Sequence, residues 1–315
     1  MSSLSLIIPI RNRFPLVKRT LASVASQSRK PDRLIIVDNG STPPVAVALA
    51  QELETLRALM PVSIIVCNEE GAPAARNAGL DAADTEWTMF FDSDDIMSAS
   101  HIANAMAAAE SNADADIIGW DAAITDESGQ TLRRKNFPSE RYLYNAIMHG
   151  SLATQCYMAR TTLFRNAGGW NLEAKIWNDM ELSVRLLLCI SSESGFTPRR
   201  IIKTPDKAAT VSILAHSDSI TGSNFSDRAA ERDHTLDIIV SYAPTKEITP
   251  VLALKRMILA ACCRREGNSR IARELCEKSL QEPLSLIHRC ALIFAYHYTS
   301  MSLPGAARLL MWLFS

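Results

Sequence analysis

The chain predicts an α/β fold with a mainly parallel central sheet flanked by helices and, at its C-terminal end, a purely helical extension. Two observations carry this. Over the first 120 residues, short apolar runs alternate with segments whose apolar residues recur at helical spacing, the signature of βαβ units. From about Ser226 the strand signals cease and helical spacing continues to the end.

The elements follow in order. Leu4–Ile10 is an apolar run that suits a buried strand, and Pro15–Gln27 places Leu16, Val17, Leu21 and Val24 at helical spacing. Arg33–Val37 is a second strand, closed by the strong turn sequence Asp38-Asn39-Gly40-Ser41. Val45–Leu59 predicts a helix, Val62–Cys67 a third strand, and Ala72–Ala82 a helix opened near Pro73. Trp87–Phe91 is a fourth strand, Ser100–Ser111 a helix and Asp116–Trp120 a fifth strand. Residues 121–215 are mixed, with strand-like runs at Gln155–Ala159 and Ala209–Leu214 and a helix over Asp179–Cys189. Val251–Arg264, Ser269–Gln281, Leu284–Tyr298 and the short apolar Gly305–Phe314 are the terminal helices. Ligands of parallel sheets bind outside the carboxyl ends of the strands. That rule places Pro9–Arg13, Asp38–Ser41, Asn68–Gly71 and Asp92–Asp95 on one rim.

Bulk properties narrow the function. With 315 residues, 47% hydrophobic and 21% charged, the chain can bury a full core. A net charge of −1 argues against a nucleic-acid partner, which calls for a basic excess. Seven scattered cysteines without a CxxC pair fit buried thiols in a reducing compartment better than disulfides or a zinc site. No basic-then-apolar leader and no run of 18 apolar residues is present, so a cytoplasmic location is expected.

The segment Phe91-Asp92-Ser93-Asp94-Asp95 crowds three carboxylates at a strand end. Such groups repel one another unless a positive charge lies between them. A hard divalent cation, Mg²⁺ or Mn²⁺, takes oxygen ligands and commonly shares them with substrate phosphates. Helix capping is the other use of an Asp cluster at this place.

Five segments in order resemble family-2 glycosyltransferases of the GT-A fold: Ile7-Ile8-Pro9-Ile10-Arg11-Asn12-Arg13, Ile35-Ile36-Val37-Asp38-Asn39-Gly40-Ser41, Gly71-Ala72-Pro73-Ala74-Ala75-Arg76-Asn77-Ala78-Gly79, the Asp cluster, and Gly168-Gly169-Trp170 followed by Trp177-Asn178-Asp179-Met180-Glu181-Leu182. The resemblance covers residues 4–222. It implies a catalytic domain over 1–222, with a nucleotide-sugar half at about 1–120 and an acceptor half at about 121–222, and a helical extension over 223–315. It also implies an inverting transferase with a nucleotide-sugar donor and a glycan or lipid-linked saccharide acceptor. Pro9, Arg11, Asp38, Asn39, Arg76, Asp92 and Ser93 would face the donor. Asp94 and His216 would hold the metal, Asp95 would cap the helix that follows, and Arg13 would be a surface or helix-entry residue. Asp179 would be the general base, and Trp170, Trp177 and Asn178 would flank the acceptor. Two positions depart from the family's pattern: Arg11 stands where an aromatic residue is common, and Asn39 where a second Asp is usual. They leave the donor base open. Glu181 lies about 200° around the helix from Asp179 and cannot share its task.

A phosphatase-type hydrolase also begins with an apolar strand and DxD, but Asp95-Ile96 replaces its expected small residue and Thr or Val, and the motif follows three βα units. A nucleotidyltransferase would need a glycine-rich first loop, and a dinucleotide-binding oxidoreductase a GxGxxG after the first strand; neither is present. A degenerate sugar-nucleotide-binding module would not need both Asp94 and Asp179. The arginines 264, 265, 270 and 273 and the Trp-bearing final helix suggest peripheral contact with the inner membrane face, or packing against the catalytic domain or in a homodimer.

Overall fold

A computed structural model of the chain describes residues 2–192, 195–196, 200–215, 224–243 and 247–314. In chain order the elements are β1 (Leu4–Ile10), α1 (Phe14–Ala25), β2 (Arg33–Asp38), α2 (Val45–Ala48), α3 (Ala50–Arg57), β3 (Val62–Val66), α4 (Ala72–Asp81), β4 (Trp87–Phe90), β5 (Ile96–Met97) and α5 (His101–Ser111). They continue with β6 (Ile117–Gly119), β7 (Ala122–Thr125), β8 (Thr131–Lys135), α6 (Tyr142–His149), β9 (Tyr157–Arg160), α7 (Thr161–Asn166), α8 (Asn178–Cys189), β10 (Ser191–Ser192), β11 (Gly195–Phe196), β12 (Ile201–Lys203) and β13 (Val211–Leu214). The C-terminal helices are α9 (Ala229–Tyr242), α10 (Ile248–Arg265), α11 (Ser269–Gln281), α12 (Leu286–Ser300) and α13 (Ala306–Phe314).

The chain forms two compact units. The first, residues 1–140, 151–172 and 185–216, holds both larger sheets. Its main sheet has the order β12-β6-β9-β4-β1-β2-β3. Strands β4, β1, β2 and β3 run parallel, while β9 runs antiparallel between β4 and β6. The largely apolar β1, with Ser5 as its one polar residue, is buried because helices cover both faces of a parallel sheet. Gly79 of α4 makes that cover close: a Cβ there would lie 2.4 Å from Ile7 Cγ2. The chain winds from β1 through β2 to β3, then returns to β4 on the other side of β1. The switch point therefore lies between β1 and β4, where α/β sheets place their ligands. A smaller sheet, β5-β13-β7-β8, adjoins the segment after β4.

The second unit, residues 141–150, 173–184 and 217–315, is helical among its described residues. Helix α10 is its axis, with α6, α9, α11, α12 and α13 packed against it. Arg256 of α10, fully buried, is bound by Asp233, Asp237 and Glu282 at 2.5, 2.8 and 3.4 Å, which compensates its charge.

Two expectations are corrected. The predicted single helix over Val45–Leu59 is two, broken at Leu49, whose φ of −120° and ψ of 24° leave the helical region. All seven cysteines are free, as expected, but Cys189 and Cys290 are exposed because each lies on the outer face of its helix.

Candidate active site

The rim at the switch point is built from hydrogen bonds that its sequence dictates. After β1 come Asn12 and Arg13, both left-handed, with φ of 57° and 53°, which turn the chain sharply into α1. Pro9, half-buried and in register with Val37, lies beyond the last β1–β4 pair, Ile7 with Phe90, so its missing N–H costs no bond on that side. Asp38 is buried at the end of β2. Its Oδ1 accepts from Ser41 N at 2.9 Å and its Oδ2 from Val45 N at 2.8 Å, so both oxygens shape the turn. Asn39 is a strut. Its Nδ2 donates to Cys67 O (3.1 Å) and Glu69 O (2.7 Å), and its Oδ1 accepts from Gly71 N (3.0 Å). It thereby fixes the loop between β3 and α4. Arg11 is exposed and pairs with Glu70 at 2.8 Å.

Arg76, Asn77 and Trp170 form one mechanical unit. The Asn77 amide donates to Trp170 O (2.8 Å) and accepts from Trp170 N (2.7 Å). Gly169 allows this approach, since with φ of 68° a Cβ there would lie 2.7 Å from Asn77 Oδ1. The Trp170 ring is thereby held under the Arg76 guanidinium, 4.3 Å from its centroid, with Phe90 edge-on at 5.3 Å. Trp170, expected beside an acceptor, is instead a buried seat for the cation. Arg76 in turn reaches Asp92 Oδ1 at 2.7 Å, rather than Asp81 or Glu86 along its own segment.

The three carboxylates of the cluster have three different fates. Asp92 Oδ1 accepts from Arg76 Nη2 and its Oδ2 from Gln155 Nε2. Asp95 is buried, and its Oδ1 accepts from Leu214 N of β13 at 3.0 Å while its backbone carbonyl accepts from Thr20 Oγ1 at 2.8 Å. Burial first, then the charges of Asp92 and Asp94, push its carboxyl well above the usual carboxylate range. The expected helix cap is corrected: β5 intervenes, α5 begins at His101, and Asp95 braces the smaller sheet. Asp94 is partly exposed, with Arg13 Nη1 3.5 Å from its Oδ2. Ser93 occupies the turn between Asp92 and Asp94.

Among the described residues, no group of three His, Cys, Asp or Glu side chains is arranged to hold a metal ion. Asp94, partly exposed on the rim, is the carboxylate of the cluster that could meet a hard cation. His216 lies outside the described residues. Arg13 stands at the entry to α1 with an exposed side chain, as expected, while Gln155, which binds Asp92, was not singled out. Arg13 stood in the quoted first motif, whereas Gln155 carried only the signal of a strand-like run.

The remaining predicted residues belong to the second unit. Asn178 and Asp179 open α8 and are half-buried, and Asp179 Oδ1 accepts from Met180 N at 2.9 Å. Glu181, two residues on, is fully buried, as its place around the helix requires. Trp177 has a φ of 55° and lies under Lys255 Nζ at 4.6 Å.

Comparison with known proteins agrees with this architecture. The chain is 33% identical over 108 residues to the succinoglycan biosynthesis protein ExoW of Rhizobium meliloti, a match covering 33% of each chain. It therefore spans about a third of that relative's length. Among solved structures, TarS 1-349 of S. aureus in complex with UDP-GlcNAc has a TM-score of 0.57 at 16% identity, covering 94% of this chain and 92% of TarS. The mannosyltransferase PcManGT of Pyrobaculum calidifontis, in complex with GDP-Man and Mn²⁺, gives 0.57 at 16% identity over 95% and 87%. These two likenesses establish the fold. The family model described as "Glycosyl transferase family 2" matches residues 5–166 of the 315, over half of the chain, and the chain belongs to that family.

Proposed function

We propose that the chain transfers a sugar from a nucleotide-sugar donor to a hydroxyl of a glycan or lipid-linked saccharide, with inversion at the anomeric carbon. The observation that carries the reading is the division of labour at the switch point. Arg76, seated on Trp170, neutralises Asp92, while Asp94 faces the rim beside Arg13. A donor diphosphate there would meet a fixed guanidinium and one carboxylate able to share a divalent cation with it. Mn²⁺ or Mg²⁺, held by Asp94 and the diphosphate, would supply charge neutralisation for the departing nucleoside diphosphate. His216 is a further candidate ligand. Pro9, Arg11, Asp38, Asn39 and Ser93 frame the donor side, Asp38 and Asn39 by holding its loops in place.

In this reading the acceptor oxygen attacks the anomeric carbon as the bond to the diphosphate oxygen breaks. Asp179 takes the acceptor proton, and Trp177 and Asn178 line the acceptor's approach. The name of ExoW supports a role in surface-polysaccharide assembly, and the titles of the TarS and PcManGT complexes support a sugar nucleotide as donor. The phosphatase-type alternative is disfavoured because it needs a free Asp92 oxygen for attack, and both are engaged.

A thermal-shift panel of UDP-, dTDP- and GDP-sugars with and without Mn²⁺ tests the proposal. Saturation at 100 times Kd stabilises the fold by about 2.7 kcal/mol, so the true donor stands out. Asp94→Ala removes the Mn²⁺-dependent part of the shift. Asp179→Asn keeps the shift while transfer falls ~10²–10⁴-fold, the contribution of general-base catalysis. Near-normal turnover by Asp179→Asn refutes the base assignment, and no shift with any sugar nucleotide refutes the donor class.

A further inference from the structure

Large apolar side chains are concentrated on the surface of the last two helices. On α12, Leu286, Ile287, Ile293 and Phe294 are exposed, and their spacing puts them along one side of the helix. On α13, Leu309, Trp312 and Leu313 are exposed while Ala306, Leu310 and Phe314 are buried, so that helix is cleanly two-faced. The two stripes adjoin. His288 lies next to Ile287, its Nε2 is 2.9 Å from the carbonyl oxygen of Leu313, and its ring is 5.1 Å from that of Phe314. The loop between the helices adds exposed Met301 and Leu303. A contiguous apolar surface of this kind marks an interaction site.

Charge identifies the occupant. From Pro283 to Ser315 there is no Asp or Glu, while Arg289, Arg308, His288 and His297 are present. Beside the apolar face, a cavity of about 800 Å³ is lined by Leu303 and Leu309 together with Lys255, Arg265, Arg308 and His149, and no carboxylate among the described residues lines it. The Arg141 guanidinium lies 4.2 Å from the Trp312 ring centroid, so a cation accompanies the most exposed aromatic. Burial, reinforced by the nearby charges of Lys255 and Arg308, pulls His149 below the usual histidine range. A second copy of the same face would set these cations against themselves, because a two-fold interface pairs a patch with itself. An anionic lipid surface complements both properties: apolar groups enter the headgroup boundary and Lys and Arg meet phosphate.

We infer that α12, α13 and the loop joining them dock the protein on an anionic membrane surface, with Leu309, Trp312 and Leu313 inserted and Arg265, Arg308 and Lys255 toward the headgroups. This inference is independent of the transfer chemistry. Its readout is vesicle binding, which requires neither donor nor turnover.

The test is co-sedimentation of the full chain with vesicles of phosphatidylcholine alone and of equimolar phosphatidylcholine and phosphatidylglycerol. Sedimentation with the anionic vesicles is expected, with at least a tenfold weaker association for phosphatidylcholine alone. Because the inserted residues are exposed, Leu309→Ser/Trp312→Ser should melt at the wild-type temperature and lose at least tenfold in vesicle affinity. Arg308→Glu should lose several-fold and flatten the salt dependence. Equal binding by wild type and the double variant overturns the inference. So does a dimer in size-exclusion light scattering that Leu309→Ser/Trp312→Ser dissociates while vesicles bind neither protein, since a second copy is then the occupant.

Discussion

Asn39→Asp changes one atom at the centre of the rim and should cost the protein a large part of its stability. The Asn39 Nδ2 now donates to two carbonyl oxygens at 3.1 and 2.7 Å, and the residue is buried. An aspartate loses both bonds and sets a carboxylate oxygen against two acceptors, while the bond from Gly71 N at 3.0 Å survives. Two lost bonds cost about 1 kcal/mol each, and each carbonyl left without its donor adds about 1–3 kcal/mol, partly offset by water at the loop edge. The expected loss is therefore ~3–5 kcal/mol at pH 7, out of the ~5–15 kcal/mol of a typical domain. The sign with pH is fixed. The new carboxyl would have a raised folded-state pKa, since its protonated form restores one donor. The variant's deficit should shrink below about pH 4, where the unfolded carboxyl is also protonated, and grow as pH rises. Urea unfolding of wild type and variant at pH 4 and pH 7 measures this. A deficit under about 1 kcal/mol at pH 7, or one independent of pH, refutes the strut assignment.

Two further outcomes follow from buried ionisable groups. His101 is buried, with its Nδ1 2.9 Å from Thr210 Oγ1 and its ring edge-on to Trp120 at 4.5 Å, and burial lowers its pKa to about 3. The unfolded chain then binds more protons below pH 6.5, so stability falls from pH 6.5 toward 3, by up to ~5 kcal/mol; His101→Phe should show a shallower decline of urea midpoint over that range, and an unchanged slope counts against it. Asp95 has the opposite sign: its raised pKa gives stability that is full below about pH 4 and is lost as pH rises. Asp95→Asn keeps an acceptor for Leu214 N and should gain on wild type between pH 4 and pH 7 in the same assay; a variant that falls further behind as pH rises contradicts the account.

The periodic parts of the molecule were legible in the sequence. β1 and α11 have the bounds their apolar spacing predicts, and, apart from Val45–Leu59, which is two helices, the other predicted strands and helices of the first 120 residues and the terminal helices fall within a few residues of theirs, because one face or both must be buried. Short strands such as β5, β7 and β8 gave no pattern: two to five residues carry too few alternations to register, and β8 is largely exposed. At the site, residue types were readable and partners were not. Asp92 and Arg76 were each singled out, but their pairing is set by the fold of α4 against β4. Trp170 looked like a sugar platform because motif order cannot tell a ring facing solvent from one facing a guanidinium. Asn39 looked like a base-reading departure, yet its amide is turned toward the β3–α4 loop, a direction that only tertiary contacts reveal.

The Asp cluster is tolerable because its charges are dealt with separately. Three carboxylates in four residues would repel one another if all were free. Arg76 and Gln155 occupy both oxygens of Asp92, and Asp95 is buried, bound by Leu214 N, with its carboxyl pushed well above the usual carboxylate range by burial and by Asp92 and Asp94. Asp94 is partly exposed on the rim, with Arg13 Nη1 3.5 Å from its Oδ2. Within the proposed function this has a chemical consequence. A hard cation needs about six oxygens, and Asp94 supplies at most two. Other oxygen ligands would have to be supplied by a bound diphosphate, by water or by residues outside those described. In that reading Asp94 and a bound donor diphosphate would hold the ion together, and it would supply charge neutralisation to the departing nucleoside diphosphate.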